Sequence, residues 1–201
     1  MSERPVTVMA KEAKEAPERV EEQLVRDGER LDFIAATLRQ FRPRAVLTCA
    51  RGSSDHAATY ARYLIETRLG LLTSSVSPSV SSVYGVKQDL DRCLFLVLSQ
   101  SGRSPDLLAA ASSAKASGAR VVALVNVEDS PLAAAADHVI PLRAGPEASV
   151  AATKSYICAL AATLRLVACW SENELLLNEL KALPAQMVRA WQLDWRPMVE
   201  W

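Results

Sequence analysis

The chain has 201 residues, of which 50% are apolar and 23% charged, so it can bury a core of its own and is not intrinsically disordered. Its 23 basic residues balance 23 acidic residues, and no long run of like charge argues for nucleic acid as a partner. The charged N-terminal stretch lacks the apolar segment of a signal peptide, and no later run predicts a membrane span.

In chain order, the pattern begins with helices and then changes to alternating strands and helices. Apolar residues at three- and four-residue intervals predict helix over 8–41, divided near Asp27-Gly28. Short apolar runs predict five strands, near 45–50, 71–76, 93–98, 121–125 and 139–142. Helices are predicted near 55–69, 105–117, 131–136 and 146–170.

This alternation indicates an α/β fold. Residues 93–98 are apolar without interruption, as expected of a strand that is buried on both faces. Parallel strands need a crossover between them, and the predicted helices supply it. We therefore expect a doubly wound, three-layer domain with a parallel five-stranded sheet over 44–170, an N-terminal helical segment over 1–43 and a C-terminal helical extension over 171–201.

The C-terminal extension contains a capping-box spacing and an unusual number of indoles. Ser171 and Glu174 have the spacing of a capping box, which predicts a fresh helix, and Pro184 could break it. Trp191, Trp195 and Trp201 lie close to the end of the chain. Either they pack on a partner or they cover an edge of the sheet.

Four cysteines and two histidines give no sign of a metal or redox centre. Cys49, Cys93, Cys158 and Cys169 lack CxxC spacing, and three of them lie in apolar runs. This is typical of reduced core cysteines in a cytoplasmic protein. With so few histidines, a metal site is not expected.

Two hydroxyl-rich turns follow predicted strands, where parallel sheets bind ligands. In the second turn, Ser104 and Pro105 predict a helix start, and Gly102 permits a positive φ or a close approach to a ligand. Around it stand four uncharged donors that suit a phosphate dianion: Ser99, Gln100, Ser101 and Ser104. An ordinary serine-rich turn is the alternative.

The first and third turns offer further candidates. After the first strand, Ser53 and Ser54 could contact a second part of the ligand, or Ser54 could simply cap a helix. His56 could act as an acid or base, but a surface or packing role is simpler. In the third turn, Glu147 near the predicted helix start complements the helix dipole, and Lys154 is expected about two turns into that helix.

Together these motifs resemble the sugar isomerase (SIS) domain family. The resemblance rests on the turn at 52–58, on Ser99-Gln100-Ser101-Gly102, and on the stretch from Gly145 through Glu147 to Lys154. The sequence is similar in particular to the first of the two SIS domains in the isomerase part of glucosamine-6-phosphate synthase and its glutaminase-free relatives. The segment from Met9 to Pro17 resembles the helix that opens that part.

The resemblance implies a flavodoxin-like fold and a set of ligand contacts. Phosphate would be bound by Ser99, Gln100, Ser101, Ser104 and Ser54, and the sugar by Ser53 and Val150. Two positions depart from the synthase: Arg103 replaces its usual glutamate, and Ala152 replaces a serine that helps to hold the sugar. No metal or organic cofactor is implied.

The resemblance also limits the expected activity. The family's catalytic glutamate and ring-opening residues come largely from a second SIS domain, for which this sequence has no counterpart, so the catalytic residues stay unknown. We expect a phosphate-binding half of an aldose–ketose isomerase or deaminase that acts on a phosphorylated hexose or aminohexose and pairs as a homodimer. The alternatives are a phosphosugar-sensing module that regulates a partner and a purely structural α/β domain.

Overall fold

Two helices precede the sheet. In the computed structural model, which describes residues 6–195 and 198, α1 spans Val8–Arg26 and α2 spans Gly28–Phe41. Thr7 caps α1, since its Oγ1 accepts a hydrogen bond from the amide of Ala10 at 3.2 Å. The division at Asp27 confirms the break that the sequence predicted.

A five-stranded sheet in the order β2-β1-β3-β4-β5 forms the middle layer, and every neighbouring pair is parallel. The strands are β1 (Ala45–Cys49), β2 (Thr73–Ser75), β3 (Cys93–Ser99), β4 (Arg120–Val125) and β5 (His138–Pro141). All seven residues of the central strand β3 are buried, which confirms that it is covered on both faces. The predicted parallel five-stranded sheet is therefore correct.

Helices cover both faces of the sheet. The remaining elements are α3 (Ser53–Leu69), α4 (Ser79–Ser82), α5 (Pro105–Ala116), α6 (Pro131–Ala135), α7 (Lys154–Trp170) and α8 (Glu174–Gln192). Leu94, Leu96 and Leu98 of β3 share one core with α2, α3 and α7. Phe95 and Val97, which alternate with them, join a second core with α5 and α6. This is the predicted three-layer α/β arrangement.

The N-terminal helices belong to the first of these cores. Val20 of α1 and Ile34 and Leu38 of α2 are buried against α7 and the sheet. Gln23 of α1 reaches further, because its Nε2 donates to the carbonyl of Leu142, just beyond β5, at 2.9 Å. Helix α1 is thereby fixed beside the segment that connects β5 to α7.

The C-terminal helices differ from the sequence-based expectation at three points. Helix α7 begins at Lys154 rather than near Pro146. Asn173, not Ser171, caps α8, since its side chain accepts from the amide of Leu176 at 3.0 Å. Helix α8 continues through Pro184 without a break.

The exposed indoles lie in the last turn of α8 and just beyond it. Trp191 and Trp195 are each about half exposed, and Trp201 lies outside the described residues. Among the helices that the structure describes, none is both long and apolar enough to cross a membrane.

Candidate functional site

A cavity of about 370 Å³ opens at the carboxyl edge of the sheet, between the ends of β1 and β3. From β1 the chain continues through α3 to β2 on one side, while β3 lies on the other side, so the cavity is at the point where the strand order reverses. Parallel α/β sheets bind their ligands at such a switch point. The cavity is lined by Arg51, Gly52, Ser53, Ser54, Leu98, Ser99, Gln100, Ser101, Ser104, Leu107, Ala151 and Ala152.

The turn after β3 supplies most of the polar lining. The Ser99 hydroxyl accepts a hydrogen bond from the Gly102 amide at 3.0 Å, and the Ser101 hydroxyl accepts from the Arg103 amide at 3.3 Å. Ser104 stands at the N-cap of α5, as predicted, but makes no side-chain hydrogen bond to the helix amides. Ser99 therefore shapes the turn, and the Ser104 hydroxyl is not committed to capping.

Gly102 is required by the shape of this turn. Its φ is +63°, a conformation that favours glycine, and a β-carbon at this position would overlap Ser130. Its carbonyl accepts a hydrogen bond from the Leu132 amide at 3.1 Å, which joins the turn to α6. Of the two roles that the sequence allowed for Gly102, the positive φ is confirmed, and the close approach to a ligand stays a prediction.

The turn after β1 forms the opposite wall. Gly52, with φ of +56°, is the N-cap of α3, so Ser54 lies in the first turn of the helix and does not cap it. Ser53 and Ser54 are half-buried and line the cavity. His56 is exposed and is not among the lining residues, in keeping with a surface role.

Arg51 is a site residue that was not predicted from the sequence. It lines the cavity, and its Nη1 donates to Oδ2 of Asp106 in the first turn of α5. The two side chains join the turns that follow β1 and β3. Its position directly before Gly52 in the turn is visible in the sequence. Its partner Asp106, however, is 55 residues away.

The third turn is not the helix start that the sequence predicted. Residues 142–153 are irregular, Ala151 has φ of +68°, and Lys154 lies in the first turn of α7. Oε1 of Glu147 accepts from the amides of Thr153 at 2.9 Å and Ser155 at 3.2 Å. Glu147 therefore does meet the α7 N-terminus, as dipole complementation predicted, but from a loop that folds back onto it.

Val150 differs from the other expected ligand residues. Val150 is 93% exposed and does not line the cavity, whereas Ala151 and Ala152 do. The sugar contact expected of Val150 thus gains no support from the geometry. The other six expected residues, Ser53, Ser54, Ser99, Gln100, Ser101 and Ser104, all line the same cavity.

The cavity can bind an anion by neutral donors and helix ends. Helices α3 and α5 both begin at it, so their free amides and the positive ends of their dipoles are at its walls. Hydroxyl groups from both turns add donors that can rotate toward a ligand. Cys49, the last residue of β1, is buried and is not among the lining residues, and burial raises the pKa of its thiol to about 12.

The fold and the site define a doubly wound α/β domain with a hydroxyl-lined cavity at its switch point. The SIS domain family model matches residues 41–168, and the chain belongs to this family. Glutamine–fructose-6-phosphate aminotransferase (isomerizing) of Symbiobacterium thermophilum is 37% identical over 172 residues, which cover 80% of this chain and 27% of the relative. The enzyme of the same name from Methanothermobacter thermautotrophicus is 40% identical over 141 residues, covering 70% of this chain and 23% of the relative.

Solved structures agree with this assignment. The crystal structure of a Silicibacter pomeroyi DSS-3 protein assigned as a phosphosugar isomerase is 44% identical, with a TM-score of 0.93, and covers 96% of this chain and 59% of that one. The NanR protein of Vibrio vulnificus, solved with ManNAc-6P, shares the fold at 21% identity, with a TM-score of 0.66 over 92% of this chain and 70% of that one. The chain is thus an SIS domain homologous to phosphosugar isomerase domains, and it spans about a quarter of the length of the curated relatives.

Proposed function

We propose that the cavity between β1 and β3 binds the phosphate group of a phosphorylated hexose or aminohexose. The observation that carries this proposal is the convergence of hydroxyl groups from two separate turns on one cavity at the starts of α3 and α5. A cavity of about 370 Å³ suits a ligand the size of a sugar phosphate. Ser101, Ser104, Gln100 and Ser54 contact the phosphate, Ser99 holds the turn and can donate its own hydrogen, and Ser53 faces the sugar.

The chain acts as the phosphate-anchoring half of an aldose–ketose isomerase or aminosugar-phosphate deaminase. The relatives' names include fructose 6-phosphate, and a fold neighbour is the glucosamine-6-phosphate deaminase of Thermotoga maritima, which is 18% identical with a TM-score of 0.71. Anchoring the phosphate places C1 and C2 of the sugar in a fixed position, so binding energy from a remote group assists the reacting centre. Residues 44–170 form the binding unit.

A homodimer in the cytoplasm is the setting that best suits this function. Trp191 and Trp195 at the end of α8 are about half exposed and gain cover when two copies associate. The free cysteines at 49, 93, 158 and 169 are all buried, which suits a reducing compartment. Sedimentation of the full chain tests the dimer, since a monomer at all concentrations would contradict it.

Calorimetric titration with glucosamine 6-phosphate, fructose 6-phosphate and unphosphorylated glucosamine tests the site. We expect the phosphorylated sugars alone to bind. Ser101→Ala removes one hydrogen bond to a charged acceptor and should weaken binding by roughly 10- to 100-fold, the effect of about 1.5 to 3 kcal/mol. The same change at the exposed Ser112 of α5 is the matched control.

Two outcomes would contradict the proposal. Equal affinity for glucosamine with and without its phosphate would exclude phosphate anchoring. Equal affinities of the wild type and Ser101→Ala would place the ligand elsewhere. Because the hydrogen bond that the Ser101 hydroxyl accepts from the Arg103 amide is exposed, the variant should remain folded, and its loss of binding can be assigned to the site.

A further inference from the structure

The third wall of the cavity is a loop without regular secondary structure. Ala151 and Ala152 form this wall, and they lie in the irregular segment between β5 and α7. Ala151 has φ of +68°, which costs energy in any residue with a β-carbon. The position of the wall must therefore be fixed by contacts made elsewhere in the loop.

Upstream of the wall, the loop is bound by a carboxylate from α1. Glu12 accepts hydrogen bonds from the amide of Ala148 at 2.6 Å, from the amide of Ser149 at 3.1 Å and from the Ser149 hydroxyl. Glu12 is 7% exposed. Because three donors bind one buried, charged carboxylate, they attach the loop strongly to α1. The two segments are at least 136 residues apart in the sequence.

Downstream of the wall, the loop is bound by its own Glu147. Its Oε1 accepts from the amide of Thr153 at 2.9 Å, and the Ser155 hydroxyl donates to its Oε2. Between the two attachments only residues 150–152 remain, and two of these three line the cavity. The wall is thus a short span between two fixed ends.

A second carboxylate of α1 strengthens the downstream side. Oε2 of Glu15 accepts from Nζ of Lys154 at 2.7 Å, and the Lys154 side chain is 3% exposed. A buried ammonium in the first turn of a helix faces the positive end of the helix dipole, so it needs this partner. Helix α1 consequently contacts the chain on both sides of the wall, at 148–149 and at Lys154, the first residue of α7.

We propose that Glu12 is a positioning residue for the phosphosugar cavity. It holds the loop at Ala148 and Ser149 and thereby sets the place of the Ala151–Ala152 wall opposite the serine turns. The inference rests on the proposed function of the cavity and adds α1, which does not line it, to the groups that determine ligand affinity. Without the Glu12 attachment, ligand binding must order the wall as well, and that ordering lowers affinity.

The test compares Glu12→Gln with the wild type in the full chain. Glutamine keeps the shape of the side chain but turns an NH₂ donor toward amides that are themselves donors. We expect the Kd for glucosamine 6-phosphate to rise about tenfold, equivalent to about 1.4 kcal/mol. Hydrogen exchange should become faster over 146–153 and remain unchanged in β3 and β4.

Two further variants control for general destabilisation. Glu18→Gln changes an exposed glutamate on the same helix and should alter neither affinity nor exchange. Ser149→Ala removes one of the three donors and should have a smaller effect in the same direction. Should Glu12→Gln fail to fold, Ser149→Ala carries the test alone, with an expected rise in Kd of about threefold, within the range of one lost hydrogen bond.

The outcomes separate the two proposals. If the wild type binds no phosphosugar, the proposed function is wrong and this inference falls with it. If the wild type binds and the folded Glu12→Gln or Ser149→Ala protein binds equally tightly, only the positioning role is wrong. Faster exchange spread over the whole sheet in Glu12→Gln would likewise overturn it, because that result indicates global destabilisation.

Discussion

Gly102 lies so close to Ser130 that a β-carbon built on it would be 2.1 Å from the Ser130 Oγ. The turn that carries Ser99, Ser101 and Ser104 is therefore packed directly on the loop before α6. Both the positive φ of Gly102 and this contact require glycine.

Gly102→Ala should lower the free energy of unfolding by roughly 2 to 5 kcal/mol, combining backbone strain with overpacking against Ser130. Gly70→Ala is a matched control, since Gly70 has φ of +66° but nothing within 4 Å of its β-position. It should cost only about 1 to 2 kcal/mol. Urea unfolding measures both, and equal losses would show that the Ser130 contact has no energetic weight.

Arg51→Gln should weaken phosphosugar binding and reduce its dependence on salt, because Arg51 is the cation at the cavity wall. The Arg51–Asp106 pair is largely exposed on the arginine side, so its loss should change stability by less than about 1 kcal/mol. Asp106→Asn should act in the opposite direction and strengthen binding, since it releases Arg51 and removes a negative charge near the phosphate. Titration at two salt concentrations, with the exposed Arg68→Gln as control, tests both signs.

Asp27→Asn should be strongly destabilising. Asp27 is 1% exposed and pairs with Arg143 through two contacts, Nε to Oδ2 at 2.5 Å and Nη2 to Oδ1 at 2.7 Å. Removing one partner of a buried ion pair costs roughly 3 to 5 kcal/mol. Asp89→Asn, which breaks an exposed contact to Arg44, should cost less than about 1 kcal/mol. Similar losses of unfolding free energy for Asp27→Asn and Asp89→Asn, measured by thermal or urea unfolding, would contradict a larger contribution of the Asp27 pair.

Cys49, Cys158 and Cys169 should be unreactive at pH 8 in the native chain. Burial raises the pKa of Cys49 and Cys158 to about 12 and that of Cys169 to about 11. A raised pKa keeps the thiol protonated at pH 8, and the thiolate is the reactive form. Mass spectrometry after iodoacetamide treatment should find these three unlabelled in the native chain and labelled in urea, and rapid native labelling of Cys49 would show that β1 opens at the site.

The strands other than β2 could be predicted because each lies in a short apolar run, and the run at 93–98 was found as β3 with one added residue. The sites of the two serine turns followed from the same pattern, since parallel strands place their carboxyl ends at one edge. The start of α7 could not be predicted in this way. Glycine followed by proline at 145–146 is typical of a helix start, but Glu147 turns back to meet the amides of α7.

Contacts between distant parts of the chain account for what the sequence did not reveal. In the sequence, Glu12 is one of several glutamates in a charged helix. Only the fold brings its carboxylate to the amide of Ala148. In the sequence, Arg51 is recognisable only as a turn residue, because its ion pair with Asp106 depends on the fold. Asn173 replaces Ser171 as the cap of α8 because the Ser171 hydroxyl instead donates to the Val167 carbonyl at 2.8 Å, in the last turn of α7.

The two outer strands of the sheet also determine how copies of this chain can associate. Strand β2 has only three residues, Thr73–Ser75, all hydroxyl-bearing, and the opposite outer strand β5 ends in Pro141. Edge strands that are short, polar or end in proline offer few main-chain groups with which a strand of another molecule can pair. Self-assembly by continuous β-pairing, the route to fibrils, is consequently disfavoured, and any partner must dock through helices or loops.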